Sequence, residues 1–196
     1  MKKYLMTPVL SLIFSGSLML GQEASAHGYV SSPASRAYEC NLQNNKNCGP
    51  VQYEPQSIEG PGNFPIGGPP DNRIPSGGLS QYHELDAQTG ERWVKNSIKS
   101  GPITFTWTLT AQHSTKSWKY YMTKPGWDIN KPLTRDSFNL TPFCEFYDDG
   151  AVPPPVVNHS CNFPSGNIGY NVILAVWNIQ DTSHAFYQAI DVDITK

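Results

Sequence analysis

The sequence predicts an all-β protein built as an antiparallel sandwich. Three observations point there. Residues 104–110 alternate strictly, with Phe105, Trp107 and Leu109 set between Thr104, Thr106, Thr108 and Thr110, the period-2 pattern of a half-buried strand. Apolar segments are short and separated by turn-rich stretches, and no long amphipathic helix competes with them. Charged residues make up 15% of the chain against 12% aromatic, with 17 Pro and 16 Gly. That balance suits a loop-rich extracellular β-protein better than a helical one.

Residues 1–26 read as a secretory signal peptide. Lys2 and Lys3 form a basic start, Val9–Leu20 an apolar stretch, and Ala24-Ser25-Ala26 a small-residue cleavage pattern. The apolar stretch is shorter than the ~20 residues that span a bilayer, so a secreted protein is expected rather than an anchored one. The remaining residues 27–196 fit a single domain. Lys2, Lys3 and Glu23 leave with the leader, so the processed chain carries 12 basic and 15 acidic residues. A net negative charge argues against a nucleic-acid footprint or an anionic-membrane binder.

Along the processed chain, Gly28-Tyr29-Val30 is placed as a short first strand. Residues 32–101 are irregular, punctuated by Gly60-Pro61-Gly62, Gly67-Gly68-Pro69-Pro70 and Ser76-Gly77-Gly78. Aromatics are spread through this stretch, so it reads as an ordered insertion at one end of the sandwich rather than a linker. Beyond the alternating strand come Ser117–Thr123, the apolar run Val172–Trp177, and Phe186–Ile194. The last carries Phe186, Ile190, Val192 and Ile194 on one side. Four cysteines in an exported chain favour disulfides. Three pairings are open, and the most local, Cys40 with Cys48 and Cys144 with Cys161, is favoured. No CxxC spacing supports a cysteine metal site.

His27 is the residue with the most chemistry. Cleavage after Ala26 would leave it first, with its α-amine and imidazole Nδ1 converging on one point. His113, just past the alternating strand, is a candidate third nitrogen. Three nitrogen donors, one an amine, favour copper or nickel. A zinc site with three imidazoles is the rival. It needs His159 or His83, and the sequence lacks HExxH.

The segments HGYVSSPASRAYEC (27–40), VQYEPQSIEG (51–60), FTWTLTAQHSTKSWKYYMTKPGWD (105–128), LTPFCEF (140–146), ILAVWNIQDT (173–182) and AFYQAIDVDI (185–194) closely resemble the bacterial chitin-active lytic polysaccharide monooxygenases of auxiliary activity family 10, also called chitin-binding proteins. The resemblance runs over the whole of 27–196. It implies an immunoglobulin- or fibronectin type III-like sandwich with a large loop and short-helix insertion after the first strand. It implies one copper held in a histidine brace by the His27 amine and Nδ1 and by His113 Nε2. Phe186 matches the aromatic on one axial side of the metal, and Ala111 the small residue on the other. Glu59 matches an outer carboxylate that manages protons, and Trp177 a buried aromatic nearby. Tyr53, Glu54, Thr110, Asp181 and position 184 map to a flat polymer-binding face. His184 departs from the asparagine expected there.

The resemblance further implies oxidative cleavage of chitin, at C1, fed by an external electron donor and by hydrogen peroxide or dioxygen, in a monomer. Two other readings compete. A glycosidase needs facing carboxylates, for which Glu84/Asp86 and Asp148/Asp149 are the candidates. A non-catalytic chitin- or GlcNAc-binding adhesion factor would share the same face.

Overall fold

The computed structural model describes residues 26–196; all of the leader except Ala26 lies outside the described residues. Nine strands are present among the described residues. Strands β1 (His27–Ser32), β4 (Pro102–Ala111) and β7 (Val156–Asn162) form a small sheet in the order β1-β4-β7. The larger sheet runs in the order β2 (Glu59–Pro61), β9 (His184–Thr195), β8 (Gly169–Ile179), β5 (Thr115–Met122), β6 (Cys144–Tyr147). Strand β3 (Asn96–Lys99) also joins β9, in parallel, beside its last residues; all other pairings are antiparallel. The architecture is the immunoglobulin-like sandwich expected.

Strict alternation on β8 and β9 explains the layering. Ile173, Ala175, Trp177, Phe186, Ile190, Val192 and Ile194 face the small sheet and pack with Phe105, Trp107 and Trp118. Val172, Leu174, Val176, Ala185, Tyr187 and Ala189 face the other way and pack against the insertion. Both faces are therefore core, which is why residues 172–177 read as an unbroken apolar run. The insertion thus differs from the expected placement at one end of the sandwich. It lies over the outer face of the larger sheet as a third layer, because that face is too apolar to meet water.

Polar bonds fasten this layer. Helix α1 (Arg36–Asn41) starts at Ser35, whose hydroxyl caps Tyr38 N and also donates to Gln188 Oε1 at 2.6 Å. Arg36 is 1% exposed and grips Asp191 in bidentate fashion, at 2.9 and 2.8 Å. Its remaining donors reach Leu85 O and Gln88 Oε1, and its guanidinium lies 4.4 Å from the Trp93 ring. Cys40 pairs with Cys48 inside the insertion. Cys144 pairs with Cys161, joining β6 of one sheet to β7 of the other. Closing that loop is worth about 3 kcal/mol in the chain-entropy account.

His159, on β7, belongs to the core. It is 5% exposed and stacks on Phe146 with ring centroids 4.2 Å apart. Trp107 Nε1 donates to the Tyr120 hydroxyl, which in turn donates to His159 Nδ1 at 2.7 Å. An accepting Nδ1 requires a neutral ring with its proton on Nε2. Burial lowers the imidazole pKa to about 4, against a smaller opposing pull from Asp148.

Two outcomes follow for stability. Arg36→Ala leaves Asp191 buried without its counter-ion and is expected to cost about 3–5 kcal/mol, read from urea unfolding; an unchanged midpoint would refute the anchoring role. For His159, the folded pKa lies below that of the unfolded chain, so acid protonates the unfolded state first. Its contribution is whole above about pH 6.5 and is lost as pH falls towards 4, on the order of 2–3 kcal/mol. The difference between wild type and His159→Gln across that window isolates it from the carboxylates.

Candidate metal centre

The site is built where the first residues of β1 meet the end of β4. His27 pairs directly with Ala111 across the β1–β4 ladder. His113 follows two residues later, in the turn before β5, so both histidines share one end of one strand pair. The next residue, Gly28, leaves no room for a side chain: a Cβ there would lie 2.6 Å from Leu109 Cδ2 and 3.2 Å from Trp177 Cζ3. Its N–H donates to Gln56 O at 3.2 Å, tying β1 to the insertion.

Behind the histidines runs a cross-strand row. Trp118 on β5 faces Trp177 on β8, Trp177 faces Phe186 on β9, and Phe186 faces Glu59 on β2. Directly opposed residues point to the same side of a sheet, so the four side chains form one continuous line. Trp118 stacks on Trp177 at 5.1 Å and 7°. Trp177 meets Phe186 at 5.0 Å, and Phe186 lies 6.2 Å from the His27 ring. The row passes from Trp118, Trp177 and Phe186, each at most 1% exposed, to the Glu59 side chain at 35%.

Hydrogen bonds extend the row to the second histidine. Trp177 Nε1 donates to Thr115 Oγ1 at 2.8 Å, and that hydroxyl donates to His113 O at 2.9 Å. Thr115 escaped the sequence reading; one buried threonine among many carries no periodic signal. His113 Nε2 bonds Asp181 Oδ1 at 2.8 Å, and His184 Nδ1 bonds Glu59 Oε1 at 2.9 Å. Two histidine–carboxylate pairs therefore stand at this end.

The remaining face residues are less closely joined. Thr110 is exposed at the end of β4. Tyr53 is 81% exposed, on the insertion segment that Gln56 fastens to β1. Glu54 is half-buried, and its carboxylate acts on the hydroxyl of Tyr82. Burial first, and then Glu54, push the Tyr82 phenol up to about 12, so it stays a donor.

The donor set fits a nitrogen-ligated transition metal. Among the described residues no three His, Cys, Asp or Glu side chains cluster as a metal site. His159 is locked in the core, and His83 is 69% exposed with Nδ1 on Ser80 O. Neither can complete a three-imidazole zinc site with His27 and His113. Two imidazoles, joined by an amine if the chain is cut after Ala26, would match the preferences of copper. Of the candidate hydrolase carboxylates, Asp86 accepts from Ser76 N and Asp148 from Trp118 Nε1.

Comparison with known proteins accords with this geometry. A family model described as lytic polysaccharide mono-oxygenase, cellulose-degrading, matches residues 27–192. GlcNAc-binding protein A of Shewanella oneidensis is 51% identical over 183 residues, covering 93% of this chain and 38% of that protein. The chain spans about two fifths of the length of such curated relatives. Among solved structures, an auxiliary activity family 10 lytic polysaccharide monooxygenase from Photorhabdus luminescens is 50% identical, with TM-score 0.85 over 86% of this chain and 99% of that one. A Bacillus amyloliquefaciens protein in complex with Cu(I) is 42% identical, with TM-score 0.81 over 86% and 100%. A match that begins at the first residue of β1 and runs almost to the end of β9, on a shared fold, makes this chain a member of the lytic polysaccharide mono-oxygenase family.

Proposed function

We propose that the processed chain is a secreted copper-dependent monooxygenase that binds crystalline chitin and cleaves its β-1,4 linkages by oxidation at C1. The observation that carries the reading is the register of His27 against Ala111, with His113 two residues beyond and Phe186 beside the His27 ring. That arrangement lets the His27 amine and Nδ1 and the His113 Nε2 hold one copper. When bound, copper supplies the one-electron chemistry that lets hydrogen peroxide or dioxygen attack a sugar C–H bond, given an external electron donor.

The chain's own residues do the rest. Asp181 can only accept, so His113 Nε2 carries the ring proton in that bond; holding a metal would need Nε2 bare, so loading would exchange the bond and leave the ring's proton on Nδ1. The α-amine, which ordinarily titrates near about 7.7–8.0, must lose its proton, so affinity weakens in acid. Phe186, packed on Trp177, would keep water from one side of a metal held there, and Ala111, opposite His27, would leave little room beside it. Glu59, at the surface end of the row, holds or delivers a proton there. Tyr53 offers an aromatic plane to a sugar ring. Glu54, Thr110 and Asp181 supply polar contacts around it. The GlcNAc named in the relatives supports chitin as the polymer.

The test compares the chain beginning at His27 with one carrying an extra residue before it. Outer-shell partners alone are worth 10–100-fold in metal affinity, so loss of a ligand nitrogen should exceed about 100-fold, read by calorimetry. With chitin, ascorbate and copper, only the His27 form should release aldonic-acid oligosaccharides detectable by mass spectrometry. Equal oxidation by both forms would refute the amine ligand. Unoxidised oligosaccharides formed without reductant would mark a hydrolase, and chitin binding without products an adhesion module.

A further inference from the structure

We propose that His184 is a positioning residue for Glu59, setting the direction of its carboxylate beside Phe186. This rests on the functional reading above and adds to it a role for the histidine that the resemblance did not predict.

The register makes the pair. His184 and Phe186 are two apart on β9, so their side chains leave the same face. Glu59 stands opposite Phe186, and Pro61 opposite His184. Glu59 and His184 are therefore diagonal neighbours, within reach of long side chains, and the observed Nδ1–Oε1 distance is 2.9 Å. A carboxylate only accepts, so Nδ1 donates. In the neutral ring this fixes the proton on Nδ1. Nε2 bonds no protein atom among the described residues.

The two backbones are held far more firmly than the two side chains. A Cβ on Gly60 would collide with Gly77 O, so β2 is seated against the Ser76-Gly77-Gly78 turn of the same insertion. Gly62 N donates to Ser183 O at 2.7 Å, and His184 N to Thr182 Oγ1 at 3.2 Å. The Glu59 and His184 side chains, by contrast, are 35% and 53% exposed. His184 lines both of the grooves that meet here, of about 240 and 470 Å³. Open grooves give a three-bond side chain room to change rotamer. Among the described residues, His184 is the hydrogen-bond partner of the Glu59 carboxylate. Without it the backbone would still deliver Glu59 to the site, but nothing recorded there would aim the carboxylate.

Two measurements test this, one without metal or turnover. In metal-free processed protein, long-range ¹⁵N–¹H spectra report the His184 tautomer. The neutral ring should carry its proton on Nδ1 in wild type and on Nε2, the form an unrestrained histidine prefers, in Glu59→Ala. The same tautomer in both would overturn the pairing. The second is a double-mutant cycle on the oxidation rate. His184→Ala should lose about tenfold, and adding it to Glu59→Ala should cost nothing further. Multiplying losses would mean that His184 acts on the polymer independently, which overturns the proposal. His184→Asn, with an amide donor near the place of Nδ1, should recover most of the rate; a loss equal to that of alanine also overturns it. If the wild-type protein oxidises nothing, the functional reading falls, while the tautomer still decides the pair.

Discussion

Strand β9 has core on both faces, and the molecule is arranged around that constraint. A sandwich strand ordinarily buries one face and wets the other. Here Phe186, Ile190, Val192 and Ile194 serve the space between the sheets, and Ala185, Tyr187 and Ala189 demand a second cover. The insertion provides it. The Arg36–Asp191 pair locks the cover in register, since both groups are 1% exposed and each needs the other. At the opposite end of the same strand, β2 pairs with His184–Phe186. One strand thus carries the ion pair that docks the insertion and the edge at which the insertion delivers Glu59.

The candidate site gains its rigidity from this arrangement. A metal centre on loops alone would drift, whereas groups aligned on packed strands keep their spacing. The line Trp118–Trp177–Phe186–Glu59 crosses four strands and passes from full burial to solvent. Each aromatic is held by the next, and Trp177 is also bonded to Thr115, which in turn holds the His113 carbonyl. The ring beside the His27 imidazole and the backbone of the other proposed ligand are therefore positioned by the same tryptophan. Gly28 shows how tight the fit is, since Leu109 and Trp177 occupy the space a β-carbon would need.

What was legible in the sequence was what repeats. Phe105, Trp107 and Leu109 announced β4 by alternation, and the even positions of β9 announced its inner face. Strands β2, β3, β6 and β7 were not legible. Three of them have four residues or fewer, and β7 interrupts its pattern with Asn158, His159 and Ser160. The third layer was also hidden, because an apolar run such as 172–177 says that both faces are buried without saying by what. Residue chemistry alone proposed His27 and His113, and left His159 or His83 open as the third imidazole of a rival zinc site. Only the fold separates a histidine accepting from Tyr120 in the core from one at the end of β4. The roles implied for Phe186, Ala111 and Glu59 came from resemblance, since a phenylalanine on an alternating strand reads as core, and here it is core as well.

That double duty bears on Ala26, the last residue before the proposed cleavage point. In the unprocessed chain Ala26 is 5% exposed and packs with the inner cluster that includes Phe186 and Trp177. The nitrogen of His27 is then an amide, whose lone pair is delocalised into the peptide bond and is a poor metal donor. Cleavage after Ala26, as proposed, would remove a methyl group buried in this cluster and turn that nitrogen into an amine. Both changes fall at one point, the start of β1, where the His27–Ala111 pairing already holds the residue in place. The precursor on this account is folded but lacks a ligand, and the protein gains its metal donor by losing a packing contact. The small energetic cost of the lost methyl, on the order of 1 kcal/mol, is readily offset by binding of a metal to the folded state.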